Sequence, residues 1–413
     1  MVFEYVFSNF LASFNNFVDE KYILSDNAFV RSGKWSLETA IKFPLFNRKK
    51  TKFNEVNRYL RSQTGDYSMK ITGSGVCDRM QYINPKVYID MNNGVIMEIY
   101  NNVEEMETFK GFHVFATDGS YVEIPNHPQA REEMGVPSNN EVETFAANAR
   151  ISCTVDTKMD FVISSIIENQ TVDEITLALR HLDDVKNKIN MNNVITCYDR
   201  YYNSTEIMLK TKTLNSYYLI RGKTNTFKKQ QQKMNNDKKT DETFDISLNN
   251  AKIKKFHDED LKKIARKQKS IQVRIVKVKL KTGQTEILFT NLPKKNSNTR
   301  RIKAIIRRKM ENRNRLRQTK KQTIHRKIQR KKTNHNRTRL LQPHIPTKPT
   351  NRNKTRCRTK NNTKTKRNSK IHLQIPLQHQ HTHRRNQRPT TKTPNRQPRR
   401  NTKSNKRNNG NRF

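Results

Sequence analysis

Two stretches decide the fold: Phe112-His113-Val114-Phe115-Ala116-Thr117-Asp118-Gly119-Ser120 and Val194-Ile195-Thr196-Cys197-Tyr198-Asp199-Arg200-Tyr201. Each opens as an apolar run of buried-strand length and stops at an aspartate. Asp118-Gly119-Ser120 reads as a turn, after which Tyr121-Val122-Glu123-Ile124-Pro125 resumes the strand. Asp118 and Asp199 therefore belong at the carboxyl ends of two strands. If those strands are parallel neighbours, the carboxylates converge at the edge where open α/β sheets bind ligands. Two close carboxylates repel unless a divalent cation such as Mg²⁺ or Mn²⁺ neutralises them. Such a centre suits phosphoryl transfer on nucleic acid. The plain alternative makes Asp118-Gly119 a turn and Asp199-Arg200 a surface ion pair.

Outward from these stretches, Ile151–Val155 and Phe161–Ile166 flank Asp156-Thr157-Lys158 as a hairpin. Thr171-Val172-Asp173-Glu174 reads as a capping box opening a helix with Ile175, Ala178, Leu179, Leu182, Val185 and Ile189 on one face. A short helix over 204–210 and a strand over 216–221 follow. The order is strand, strand, strand, helix, strand, helix, strand, which is an α/β pattern. Residues 223–270 are polar and rich in Lys, Gln and Asn, and read as an insertion. The alternating run Ile271–Leu280 and Glu286–Thr290 form a hairpin after it, so the inserted region spans about 223–290. Residues 1–100 read as mostly helical, with Phe3, Val6, Phe7, Phe10 and Phe14 on one buried stripe and Trp35 as a buried anchor. The basic patch Arg48-Lys49-Lys50-Thr51-Lys52 is either a solvated loop or a phosphate contact.

The net charge of +46 is uneven. Of 83 Lys+Arg, 39 lie in 296–413 against one acid, Glu311, leaving a net of +8 for the first 295 residues. The stretch 296–413 has no Asp, Tyr, Trp or Val and one Phe, so it cannot bury enough surface to offset chain entropy and reads as a disordered basic tail. No apolar run approaches the ~20 residues of a membrane helix, which excludes a membrane protein. Cys77, Cys153, Cys197 and Cys357 show no paired spacing and read as thiols of a reducing compartment. His379, His381 and His383 alternate in the tail and read as an incidental polar run rather than a chelate. Positive charge favours a polyanionic partner.

Together, Thr-Asp-Gly-Ser at 117–120, Tyr-Asp-Arg at 198–200, Tyr-Leu-Ile-Arg at 218–221 and Leu-Phe-Thr-Asn-Leu-Pro at 288–293 resemble the DDE transposases of the insertion-sequence-4 group. The resemblance covers roughly residues 60–295, including the stretch from Ser74 to Tyr88. It implies a ribonuclease-H-like catalytic core over 101–295 carrying an insertion, and a helical DNA-binding region over 1–100. Implied, too, is Mg²⁺- or Mn²⁺-dependent cleavage and strand transfer of an insertion sequence. Asp118 and Asp199 map to the first two catalytic, metal-binding acids. Arg48, Lys49, Lys50, Lys52, Arg79, Arg200 and Arg221 are the candidate DNA contacts. The partner implied is double-stranded DNA, bound as a homodimer in a prokaryotic-type cytoplasm at the nucleoid. One departure is visible: Tyr201 stands where the family has Gly, and a bulky side chain there could obstruct metal or DNA.

The third acid is missing. The family sets Tyr, Arg, Glu and Lys on one face of a helix soon after Leu-Pro. Here Ala304 holds the Tyr place and Gln318 the Lys place, with Arg307 and Glu311 matching only by spacing. The genetic code suggests why. Met310-Glu311 read one nucleotide later forces a Trp, and the degeneracy around it permits YEERWKIETAYDKLK, which holds the whole set in register. A slip at Lys294-Lys295-Asn296 would put the remaining chain out of frame. Strand transfer is then impaired by loss of the third acid. The alternative is a non-catalytic basic protein that binds nucleic acid through its tail.

Overall fold

The computed structural model describes residues 14–30, 33, 35–46, 52–68, 70–102, 106–137, 146–280, 283–294 and 297–306. All fall in the first of the two units into which the chain divides, Met1–Thr350. Residues 1–13, the patch 48–51, the Lys52 side chain, Arg307, Glu311, Cys357, the three alternating histidines and the rest of 307–413 lie outside the described residues.

Eight strands form one sheet in the order β3-β2-β1-β4-β5-β8-β7-β6. They are β1 His113–Glu123, β2 Asn148–Asp156, β3 Val162–Asn169, β4 Val194–Tyr198, β5 Tyr217–Arg221, β6 Asp241–Ser247, β7 Ser270–Lys279 and β8 Thr285–Thr290. β1 pairs antiparallel with β2 and parallel with β4, and β4 is parallel to β5. The remaining pairs are antiparallel. The mixture follows from the connections: tight hairpins join β2 to β3 and β7 to β8, while helices join β3 to β4 and β4 to β5.

β1 differs from the sequence reading. Asp118-Gly119-Ser120 is not a turn, and Asp118 is not at a strand end. β2 continues to pair through this stretch, with Asp118↔Cys153, Gly119↔Ser152 and Ser120↔Ile151, so the backbone bonds that a turn would forfeit are made and the strand runs on to Glu123. The helix after β3 also starts later than expected. Asp173, not Thr171, is its N-cap, accepting from the amides of Ile175 and Thr176 at 2.8 and 3.0 Å. The inserted stretch 223–270 holds regular structure, and its strand β6 widens the same sheet.

The N-terminal helices are α1 Leu37–Leu45, α2 Lys52–Thr64, α3 Gly73–Met80 and α4 Lys86–Asn102. They close on one apolar cluster in which Trp35 is buried against Phe43, rings 5.3 Å apart and edge-on. α4 joins this cluster to the sheet: Ile96 and Ile99 pack with Phe115 and Ile163, and Tyr100 donates to the buried Asp156 at 2.6 Å. Later helices are α5 Pro128–Met134, α6 Glu174–Lys186, α7 Thr205–Thr213, α8 Lys228–Asn236, α9 Asn250–Ile253 and α10 Glu259–Gln268. Ala178 and Leu179 of α6, with α7 to α10, pack with Tyr218, Ile220 and Phe289.

Residues 299–306, inside the stretch read from sequence as tail, are helical. Ile302, Ile305 and Ile306 are buried against Ala116, Cys197, Leu219 and Leu288. Burying each stabilises by roughly 1.5–3 kcal/mol. Arg274 of β7 holds the start of this segment. Its guanidinium donates to both carboxylate oxygens of Asp241 (2.8 and 2.6 Å), to the Leu292 carbonyl (2.9 Å), and to the Ser297 hydroxyl and carbonyl (both 2.8 Å).

Replacing Arg274 by Ala should cost about 3–5 kcal/mol, because it leaves Asp241 and two carbonyls unpaired in the interior. Urea denaturation checks this, and a loss under 1 kcal/mol would contradict the clasp. His181 of α6 is buried between the hydroxyls of Ser164 (2.7 Å) and Ser152 (2.9 Å). Burial, with Lys188 adding to it and Asp184 opposing it, pushes its pKa down to about 3. An unfolded imidazole takes its proton near pH ~6.5. Stability is therefore complete above that pH and falls by up to ~1.4 kcal/mol per unit as pH drops toward about 3. Comparing wild type with His181→Gln at pH 7, 6 and 5 should show the steeper loss in wild type.

Candidate functional site

The parallel pairing of β1 with β4 builds the site. Its register runs from His113↔Val194 to Ala116↔Cys197. Asp118 and Asp199 each lie two residues beyond the last pair of that register. Neighbouring strands lie about 4.8 Å apart. β4 ends at Tyr198, so Asp118 stands where β4 no longer covers β1 while β2 still holds it. Both aspartates are half-buried. Asp199 caps the single helical turn Arg200–Tyr202, its carboxylate accepting from the Tyr201 amide at 2.8 Å. Asn203 braces this turn by donating to the carbonyls of Arg200 (2.7 Å) and Arg221 (2.9 Å).

Strand alternation sorts the surroundings into two faces. Asp118 projects with Val114 and Ala116, the face on which Ile302, Ile305 and Ile306 pack. Gly119 projects oppositely. A Cβ there would lie 3.1 Å from Glu174 Oε1 and 3.5 Å from the Tyr202 hydroxyl oxygen. Glu174 thus approaches β1 from the far side, 3.7 Å from Arg150 Nη1. Among the described residues, no three Asp, Glu, His or Cys side chains are grouped to hold a metal ion. Asp118 and Asp199 are carboxylates, the oxygen-donor type that a Mg²⁺ would take.

Tyr202 is fully buried beneath the pair, and its hydroxyl makes no hydrogen bond. Burial raises its pKa far above the ordinary phenol value, helped by the negative charges of Glu174, Asp118 and Asp199. An unpaired buried hydroxyl is costly and is retained at sites where it serves something other than stability.

Of the cations expected from sequence, Arg200 is exposed on the rim beside Asp199. Arg221 at the end of β5 is half-buried and paired with Glu286 of β8. Arg79 belongs to α3, its guanidinium 5.8 Å from the Phe29 ring centre. Lys52 opens α2; Arg48, Lys49 and Lys50 are outside the described residues. Sequence reasoning passed over Lys223, two residues beyond β5, whose ammonium lies 5.2 Å from the centre of the Tyr201 ring. It missed Arg150 as well, stacked on Tyr121 at 4.5 Å. The signal for Lys223 was its place just past a strand end, the position already used to select Asp199.

No family model matches the chain, and no curated protein matches it. Among solved structures, a piggyBac transposase synaptic complex with hairpin DNA is 10% identical, with 82% of this chain and 64% of that chain covered and a TM-score of 0.36. The chain thus spans under two thirds of that neighbour. The Mos1 transposase paired-end complex with left transposon end gives 9% identity, 46% and 73% coverage and a TM-score of 0.19. The Mos1 mariner paired-end complex with Mn gives 10%, 51% and 65%, and 0.20. Similarity at this level leaves the functional reading to the geometry. No helix of the described residues is long and apolar enough to cross a membrane.

Replacing Tyr202 by Phe removes the unpaired hydroxyl and should raise stability by about 1 kcal/mol. Thermal unfolding checks it; a loss of stability would show that the hydroxyl has a partner.

Proposed function

We propose that this chain is a DNA transposase by descent. Its β1–β5 half would be a ribonuclease-H-like core whose Asp118 and Asp199 are the first two acids of a metal-dependent strand-cleavage and strand-transfer centre. The observation that supports the reading is the parallel β1–β4 register, which ends two residues short of both Asp118 and Asp199. Further support comes from the strand order β3-β2-β1-β4-β5, antiparallel on one side of β1 and parallel on the other. Asp118 and Asp199 would hold a Mg²⁺ or Mn²⁺ ion, which would supply Lewis-acid polarisation of a DNA phosphodiester. The protein's own part is to fix two carboxylates on a stiff sheet, so that little reorganisation accompanies binding, and to offer Arg200 to the phosphate backbone.

The activity is impaired in this chain. In the resembled family the third acid follows Leu-Pro on a helix, and here the helix over 299–306 packs on the face from which Asp118 projects. This chain offers Ala304 and Gln318 in the Tyr and Lys places, in keeping with a frameshift near Lys294-Lys295-Asn296. With two acids rather than three, a second ion lacks a protein ligand.

Mn²⁺ binding, followed by electron paramagnetic resonance, should weaken at least roughly tenfold in Asp118→Asn and again in Asp199→Asn. Unchanged affinity in the double variant would sink the paired-carboxylate site. Strand transfer on terminal-repeat DNA should be near background, and turnover matching an intact relative would refute impairment. The excess positive charge of 296–413 favours a second reading, a non-catalytic nucleic-acid binder. Truncation after residue 306 keeps the packed helix and should remove most salt-sensitive DNA binding if that reading holds.

A further inference from the structure

Beside Asp199 lies a cavity of about 360 Å³, lined by Arg200, Gly222, Lys223, Thr224, Asn225, Thr285 and Ile287. Its size falls within the ~300–1,000 Å³ of small-ligand sites. It opens at the carboxyl ends of β4 and β5, the edge that carries Asp199. Its lining holds two cations, Arg200 and Lys223, and no acid. Of the acids adjacent in sequence to lining residues, Asp199 precedes Arg200, and Glu286 is buried and paired with Arg221.

Tyr201 follows the lining residue Arg200 in the chain. It is the most exposed aromatic beside the site, at 75%, with the Lys223 ammonium near its ring. The turn that presents it is held at both ends, by Asp199 accepting its amide and by Asn203 bridging Arg200 to Arg221. The floor is rigid too. Gly222 donates its amide to the Ile287 carbonyl at 2.7 Å, and a Cβ there would come within 2.8–2.9 Å of Phe289 and Ile287. A bulky ring on a fixed turn, standing free of the interior, does nothing for packing. Single-stranded nucleic-acid sites combine this kind of aromatic face for a base with cations for the backbone.

We propose that Tyr201, Arg200 and Lys223 form a binding site for one unpaired nucleotide of a DNA strand, its base stacked on the Tyr201 ring and its phosphate held by the two cations. The site rests on the reading of this chain as a DNA-strand enzyme, and gives it a way to hold a strand displaced from the duplex next to the two carboxylates. The ring in the family's Gly place then serves as a platform, not an obstruction. Hydroxyl and amide groups of Thr224, Asn225 and Thr285 offer hydrogen bonds that tolerate any base.

The test uses the full chain, a chelator, and a single-stranded oligonucleotide carrying 2-aminopurine, whose fluorescence is quenched on stacking. The chelator removes metal chemistry, so failure here is separate from failure of the paired-carboxylate reading. Wild type should quench the label, and the same label inside a fully paired duplex should be unaffected. Tyr201→Ala should abolish quenching and weaken the quenching-detected binding roughly 5- to 100-fold, while Tyr201→Phe keeps both. Lys223→Ala should lower the salt dependence of that binding by about one ion. Equal quenching in wild type and Tyr201→Ala, or a Tyr201→Phe variant that behaves like the alanine, would overturn the proposal. Binding that persists without quenching would assign the oligonucleotide to the basic segment after residue 306, which also overturns it.

Discussion

Strand β1 is hydrogen-bonded on both sides, but over unequal lengths. β2 accompanies it to Glu123, whereas β4 leaves after Ala116. Everything at the candidate site depends on that mismatch. With a longer β4, Asp118 would be buried between strands and closed to any ligand. Without β2, the backbone beyond Thr117 would have no strand partner. The result is a carboxylate on stiff backbone past the end of β4's pairing, with Asp199 following directly after β4.

The sheet's two faces then divide the labour. On one side, α6 presents Glu174 and the buried His181, and Gly119 leaves the space that Glu174 and Tyr202 occupy. On the other, the aliphatic row Ile302, Ile305 and Ile306 covers Ala116 and Cys197 next to Asp118. Glu174 is near Asp118 in sequence order of elements, yet the sheet separates the two. That explains why three carboxylates perturb one tyrosine without forming a group able to grip one cation.

Much of this was legible from residue order. The apolar runs at 112–117 and 194–198, the hairpin at 156–158 and the helix after it are local patterns, and their structures depend on local rules. Asp118 and Asp199 follow such runs, and each lies two residues past the last pair of the β1–β4 register. The reason given for Asp118 was wrong in detail. Asp-Gly-Ser reads as a turn in isolation, and only the distant partner strand β2 makes it extended. The helix start was misplaced by two residues because Thr171 and Asp173 are both good caps, and Asn169 takes up Thr171 instead. Arg221, read as a candidate DNA contact, pairs with Glu286, 65 residues away and beyond the reach of any local pattern. The structured region past Lys295 was missed because composition averages over a tail whose first residues include three isoleucines.

The Arg274 clasp has a consequence for how the molecule comes into being. All eight strands precede Asn291, and the clasp reaches forward only to Ser297. During synthesis the sheet can close, and its last apolar cover can settle, once residue 306 has emerged. A change of reading frame near Lys294-Lys295-Asn296 therefore leaves every described strand in place and falls on the far end of the clasp, Ser297, and on the isoleucine cover.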